Sequence, residues 1–174
     1  KWVKNAERPI DFRTYVDVEQ GASVRKVAWH PSGNFALGVS GIDSNVWEYY
    51  RDLGSWSVAI AGGGHVLNAI FFDAYSDRFY AVGNDGGAPM YPRAYEIDPY
   101  AQPMTSTPLG GPAGVEGNFL GGCSAAEGMG PYLFLAVGSY SSYALACWYH
   151  SSLGWVNSNG GDMGTSDGHV LYDA

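Results

Sequence analysis

The stretch VAWHPSGNFALGVSG, residues 27–41, is an apolar run, a polar turn HPSGN and a second apolar run ending in small residues, and it recurs along the chain. Pro, Ser, Gly and Asn suit a tight turn, and the apolar runs on either side are of strand length, so the unit reads as a β-hairpin. Shifted by 43 residues it lies on IFFDAYSDRFYAVGN, matching Val27 with Ile70, Trp29 with Phe72 and Val39 with Val82. A third copy of the second strand is LFLAVGS at 133–139, where Leu133 to Val137 follow Phe35 to Val39 by 98 residues. A hairpin that recurs cannot bury its apolar face alone, so its copies must stack on one another.

Each copy leads through a loop into another aromatic stretch: NVWEYYRD from Asn45, RAYEIDP from Arg93 and LACWYHSS from Leu145. YYRDLGSW at 49–56 then matches YHSSLGW at 149–155, keeping Tyr, Leu-Gly and Trp. Leu53-Gly54 and Leu153-Gly154 therefore read as turns into a fourth strand that begins near Trp56 and Trp155, with Trp47, Tyr95 and Trp148 on the third. Two units span about 98 to 100 residues, and a four-stranded unit with a period in the forties is the mark of a β-propeller blade. The chain is read as all-β, one domain over 1–174, with blades at 24–60, 66–108 and 115–157. In its pattern of W-x-P-x-G-x-x-A-L-x-V-G followed by an aromatic strand and LGSW, the first unit resembles the WD-repeat-like and photosystem-assembly-factor-like propellers. DLGSW at 52–56 is also similar to the Asp-box of the sialidase-like propellers.

At 174 residues the chain holds about three to three and a half such units, whereas closed propellers have at least four. IDFRTYVDV at 10–18 and DGHVLYDA at 167–174 read as parts of further blades, and the start at Lys1 rather than Met points to a processed protein or a piece of a longer one. An open stack exposes an apolar flank and unpaired edges that proteins normally cover. The ring is thus expected to be incomplete in this chain and completed by a partner chain, by a homodimer of two half-rings, or by the rest of a longer protein. A misread third unit would instead leave an ordinary β-sandwich or barrel.

Composition narrows the partners. Hydrophobic residues make up 46% and charged residues 15%, which excludes a disordered chain because apolar burial can offset chain entropy. The 25 glycines, roughly twice the usual ~7% share, suit short strands joined by tight turns. The formal charge is −8, the nine basic residues are scattered, and none follows Arg93. Such a surface has no patch to neutralise phosphates, so nucleic acid is not an expected partner. No run of about 18 apolar residues exists for membrane insertion by a helix. Few lysines with many Tyr, Trp, Gly and Ser favour an extracellular or periplasmic location, and Cys123 and Cys147 fit either one disulfide or two thiols.

No catalytic residue is expected. His30, His65, His150 and His169 form no zinc-binding spacing, and no G-x-S-x-G elbow is present. Cys123 beside Ser124 lacks a base close in sequence. Glycosidases need two carboxylates, but Asp73 with Asp77 falls in a hairpin tip and Glu96 with Asp98 on one strand face, so both pairs read as structural. No cofactor is expected unless Asp162, Ser166 and Asp167 in SNGGDMGTSDG supply oxygen ligands to Ca²⁺. Tyr91, Tyr100, Tyr140 and Tyr143 are candidate loop contacts, since Tyr offers rigid apolar area with a polar tip to a protein or a glycan. The expected function is a non-catalytic propeller scaffold for binding or assembly; the alternatives are part of a secreted propeller enzyme, a glycoside hydrolase or lyase, and a glycan-binding lectin propeller.

Overall fold

The computed structural model describes residues 24–125, 131–140 and 143–157. Among them there is no helix, and twelve strands form three four-stranded antiparallel sheets. The first sheet contains β1 (Lys26–Trp29), β2 (Phe35–Val39), β3 (Val46–Tyr50) and β4 (Ser55–Ile60). The second contains β5 (Val66–Asp73), β6 (Arg78–Asn84), β7 (Pro92–Asp98) and β8 (Thr105–Gly110). The third contains β9 (Asn118–Ser124), β10 (Tyr132–Tyr140), β11 (Tyr143–His150) and β12 (Gly154–Asn157). Each is a meander whose spatial order follows the chain, the form of a propeller-like blade, and the three do not close a ring. The segments 10–18 and 167–174 lie outside the described residues.

The sheets stack in chain order through their first strands, β1 against β5 and β5 against β9. Side chains alternate between the two faces of a strand, so a middle sheet must be apolar on both. Strand β6 meets that demand with the unbroken run Phe79-Tyr80-Ala81-Val82, every residue fully buried. Phe79 and Ala81 join Ala28, Leu37, Val39 and Val46 in the seam with the first sheet. Tyr80 and Val82 join Phe119, Phe134, Ala136 and Leu145 in the seam with the third. Burial pushes the Tyr80 hydroxyl up to about 12, and it hydrogen-bonds Ser76 Oγ at 3.1 Å.

The second seam is aromatic. Phe134 stacks on Tyr149 at 5.1 Å, Phe119 on Trp155 at 5.2 Å, and Phe134 meets Tyr80 at 4.8 Å. Such pairs contribute about 0.5–1.5 kcal/mol each beyond the area they bury. Trp155 Nε1 also donates to the Leu109 carbonyl at 3.1 Å, which ties β12 to the second sheet.

The small residue after each valine has a local cause. A Cβ on Gly83 would collide with the Val66 carbonyl, and one on Gly138 with the Asn118 carbonyl, both on the neighbouring first strand. Each close approach sits where the register slips, between Leu67 and Ala69 and between Val137 and Gly138. In the first sheet β1 is short, and Ser40 follows Val39 instead; its Oγ accepts the Ile42 and Asp43 amides at 3.1 and 3.0 Å.

Candidate functional site

The meanders place their turns at two opposite ends of the stack. At one end lie the turns from first to second and from third to fourth strand, and here His30 bridges the first two sheets. Its Nδ1 accepts the Ser32 amide at 3.2 Å, which leaves the proton on Nε2 to be donated to Tyr100 Oη at 3.0 Å. The ring stacks on Phe35 at 4.6 Å and lies edge-on to Phe72 at 5.1 Å. The Asp77 carboxylate is 3.8 Å from His30 Nε2, and its hydrogen bond to the Tyr100 hydroxyl raises that phenol's pKa. By sequence His30 is an ordinary turn residue of HPSGN. It does occupy the turn, but its contact with Tyr100 spans 70 residues and leaves no local trace.

At the other end a shallow groove of about 380 Å³, open to solvent, lies between the first two sheets. Ser44, Ile60, His65, Tyr95 and Ser106 contribute to its lining. His65 packs on Tyr95 at 5.5 Å, and its buried Nδ1 has no hydrogen-bond partner among the described residues. The glycine-rich connection that carries His65 is held by Gly62 N–H donating to Asn45 Oδ1 at 3.1 Å and Gly64 N–H to Ser44 Oγ at 3.3 Å. Nothing in the sequence distinguished His65 from the other histidines. Burial of one ring nitrogen is visible only once β5 and β7 are paired through β6.

The four candidate tyrosines do not form one site. Tyr91 stands in the loop between β6 and β7, 36% exposed, at the end that holds the groove. Tyr140 and Tyr143 are paired across the β10–β11 hairpin at that same end. Tyr100, 53% exposed, stands at the opposite end beside His30. The Tyr91 loop is ordered by Asp85, whose carboxylate accepts the Tyr91 amide at 3.0 Å and the Gly87 amide at 3.2 Å and lies 3.5 Å from Arg93. The Tyr91 amide bond is the main reason that the Asp85 carboxyl lies below its usual pKa.

The acidic pairs occupy structural positions. Asp73 Oδ2 accepts the Ser76 amide at 2.8 Å and Ser76 Oγ at 2.6 Å within the hairpin tip. Arg78 lies 3.3 Å from Asp98 and 3.9 Å from Glu96, so one guanidinium bridges both carboxylates of that strand face. Cys123 and Cys147 are free thiols on β9 and β11, with β10 between them. Two strand spacings of about 4.8 Å exceed what a disulfide can bridge. Asp162, Ser166 and Asp167 lie outside the described residues. Among the described residues no group of three His, Cys, Asp or Glu side chains comes together to hold a metal ion.

The outer faces of the first and third sheets are apolar in their cross-strand rows. Cross-strand pairing puts Val27, Gly38, Trp47 and Val58 in one row and Trp29, Ala36, Tyr49 and Trp56 in the next, on the face of the first sheet that points away from the second. Val27 is 44% exposed and Val58 45%, and Tyr49 and Trp56 pack at 5.4 Å. On the outer face of the third sheet, Cys123, Leu135, Trp148 and Val156 form one row and Val137 and Ala146 the next. Among the described residues no fourth sheet covers either face. No protein-family model and no curated protein matches this chain.

Proposed function

We propose that this chain is a propeller segment that acts as a non-catalytic scaffold for binding or assembly, its ring completed by another chain or by the remainder of a longer protein. The observation that carries this reading is the apolar, uncharged outer face of the first sheet, with Val27 and Val58 each close to half exposed. A contiguous apolar sheet face of this kind is costly in water and marks a surface that another protein covers. The rims carry exposed tyrosines, a composition that suits protein or glycan contacts rather than proton transfer.

Fluorescence of a dye that binds apolar surface, combined with light scattering, tests the reading. Expected is either dye uptake by an 18.6 kDa monomer or a mass above that of one chain. A monomer that takes up no dye would overturn it. So would hydrolysis of a glycan by the purified chain that is lost in Glu96→Gln and Asp98→Asn, because the Arg78-bound carboxylates would then be catalytic.

A further inference from the structure

We infer that the groove between the first two sheets binds a neutral saccharide, one sugar ring lying on its apolar lining with hydroxyls met by Ser44, His65, Tyr95 and Ser106. The inference rests on the reading of the chain as a binding scaffold and deepens it, naming a ligand class and the place that takes it.

His65 carries the argument. Its ring packs on Tyr95 at 5.5 Å, and its Nδ1 is buried without a partner, whereas Nε2 is neither buried nor bonded among the described residues. Orphaned N–H groups are rarer in protein interiors than orphaned acceptors, so the proton belongs on Nε2 and the ring offers a donor on its accessible side. A phenyl ring would pack on Tyr95 without leaving a buried nitrogen unpaired, which is costly. Packing therefore does not account for an imidazole at this position, and an unsatisfied buried group calls for another reason. What the imidazole has and a phenyl lacks is the accessible Nε2–H, on a residue that lines the groove.

The other polar side chains of the groove are hydroxyls. Ser44 Oγ accepts the Gly64 amide at 3.3 Å, which leaves its own proton to be donated. Tyr95 and Ser106 lie on the face of the second sheet that packs on the first, Tyr95 opposite Ala81 and Ser106 opposite Ile97. Their hydroxyls make no hydrogen bond with other described residues. Each of the three both donates and accepts, as a sugar hydroxyl does. Ile60 and Leu67 add aliphatic surface to the two rings. Apolar surface with a few placed polar groups is the make-up of a small-ligand site, and a sugar ring has the matching C–H faces and hydroxyl edge.

Charge selects among ligands. The chain carries a net charge of −8, yet no Asp, Glu, Lys or Arg lines the groove. An anion would find no cation there and a negative chain around it, and a cation would find no carboxylate. An extended peptide pairs through backbone groups, but three amides of the groove's own connections are already used. Gly62 N–H donates to Asn45 Oδ1 at 3.1 Å, Gly64 N–H to Ser44 Oγ, and Leu67 N–H to the Asp43 carbonyl at 3.2 Å. The same bonds fix the walls before a ligand arrives, so little ordering cost is left to binding.

Saturation-transfer NMR with the methyl glycosides of glucose, mannose, galactose and N-acetylglucosamine, together with an array of neutral and anionic glycans, tests the inference. The proteins are the wild-type chain, His65→Phe, Tyr95→Phe and Ser106→Ala. Expected is binding of at least one neutral saccharide, with a Kd of about 1 mM for a single ring. Each variant is expected to weaken it roughly tenfold through one lost hydrogen bond. His65→Phe is also expected to resist denaturant at least as well as the wild type, because it removes the buried unpaired nitrogen. A merely structural histidine would leave binding untouched, so unchanged affinity in His65→Phe overturns the inference. Circular dichroism checks folding; should His65→Phe unfold, unchanged affinity in both Tyr95→Phe and Ser106→Ala overturns it instead. Retention of anionic glycans alone, or of no saccharide at all by the wild-type chain, overturns it as well. In that last case uptake of the apolar dye, or a mass above one chain, leaves the scaffold reading standing with a protein rather than a sugar as its ligand.

Discussion

At the scale of single residues, three positions have consequences that can be measured. Gly83 has the Val66 carbonyl where a Cβ would go. Gly83→Ala must displace backbone rather than a side-chain tip, so a loss of about 1–3 kcal/mol is expected in denaturant unfolding. The same change at Gly33, which has no atom within 4 Å of an added Cβ but a φ of +69°, tests backbone strain alone. Asp85 provides a pH-dependent case. Its pKa is lowered in the folded chain, first by the Tyr91 amide, so its contribution is complete above the ordinary value of 3.8 and is lost as the pH falls through the lowered one. Asp85→Ala is expected to cost about 1 kcal/mol at neutral pH, with the gap to wild type closing as unfolding is measured progressively below pH 3.8. The small residues after Val39, Val82 and Val137 were legible as a motif. The cause at Gly83 and Gly138 was not, because it is a carbonyl on another strand.

At the scale of elements, the strands and hairpins follow from local chemistry. The turns ending at Gly54 and Gly154 were placed from Leu-Gly, and both glycines have positive φ, 65° and 71°. What joins one sheet to the next was not visible. Asn118 Oδ1 accepts from Asn68 Nδ2 at 2.6 Å and from Asn84 Nδ2 at 2.9 Å, joining β9 to β5 and β6 across a seam. Removing it in Asn118→Ala leaves Nδ2 of the buried Asn84 without that acceptor, whereas Asn68 Nδ2 keeps the Phe119 carbonyl at 2.7 Å, and is expected to cost about 1–3 kcal/mol. Trp155→Phe keeps the stacked ring but loses the bond to Leu109, for an expected loss of about 1 kcal/mol. Both effects are to be read by thermal unfolding, with amide exchange in β8 and β9 showing where the seam loosens. Asparagines 34 and 50 residues apart give no periodic signal, so only their spatial meeting assigns them a role.

At the scale of the whole molecule, the three sheets form a stack whose inner seams are sealed and whose outer faces are apolar. Cys147 reports on one seam. It is buried among Phe119, Phe134 and their neighbours, and burial pushes its thiol up to about 11. At pH 8 a thiol reagent is expected to modify half-buried Cys123 first and Cys147 only as the seam opens. Equal rates for the two thiols would mean that the seam between the second and third sheets is not formed in solution. Strand positions, hairpin turns and the four-strand unit were determined by the sequence itself, because alternation of period two and turn chemistry act over a few residues. Which face of each sheet meets which neighbour, the pairing of His30 with Tyr100, the unpartnered nitrogen of His65 and the two apolar outer faces were decided only by the tertiary structure. Periodicity tells a strand that one of its faces is apolar; only the packing of distant segments settles what that face is buried against.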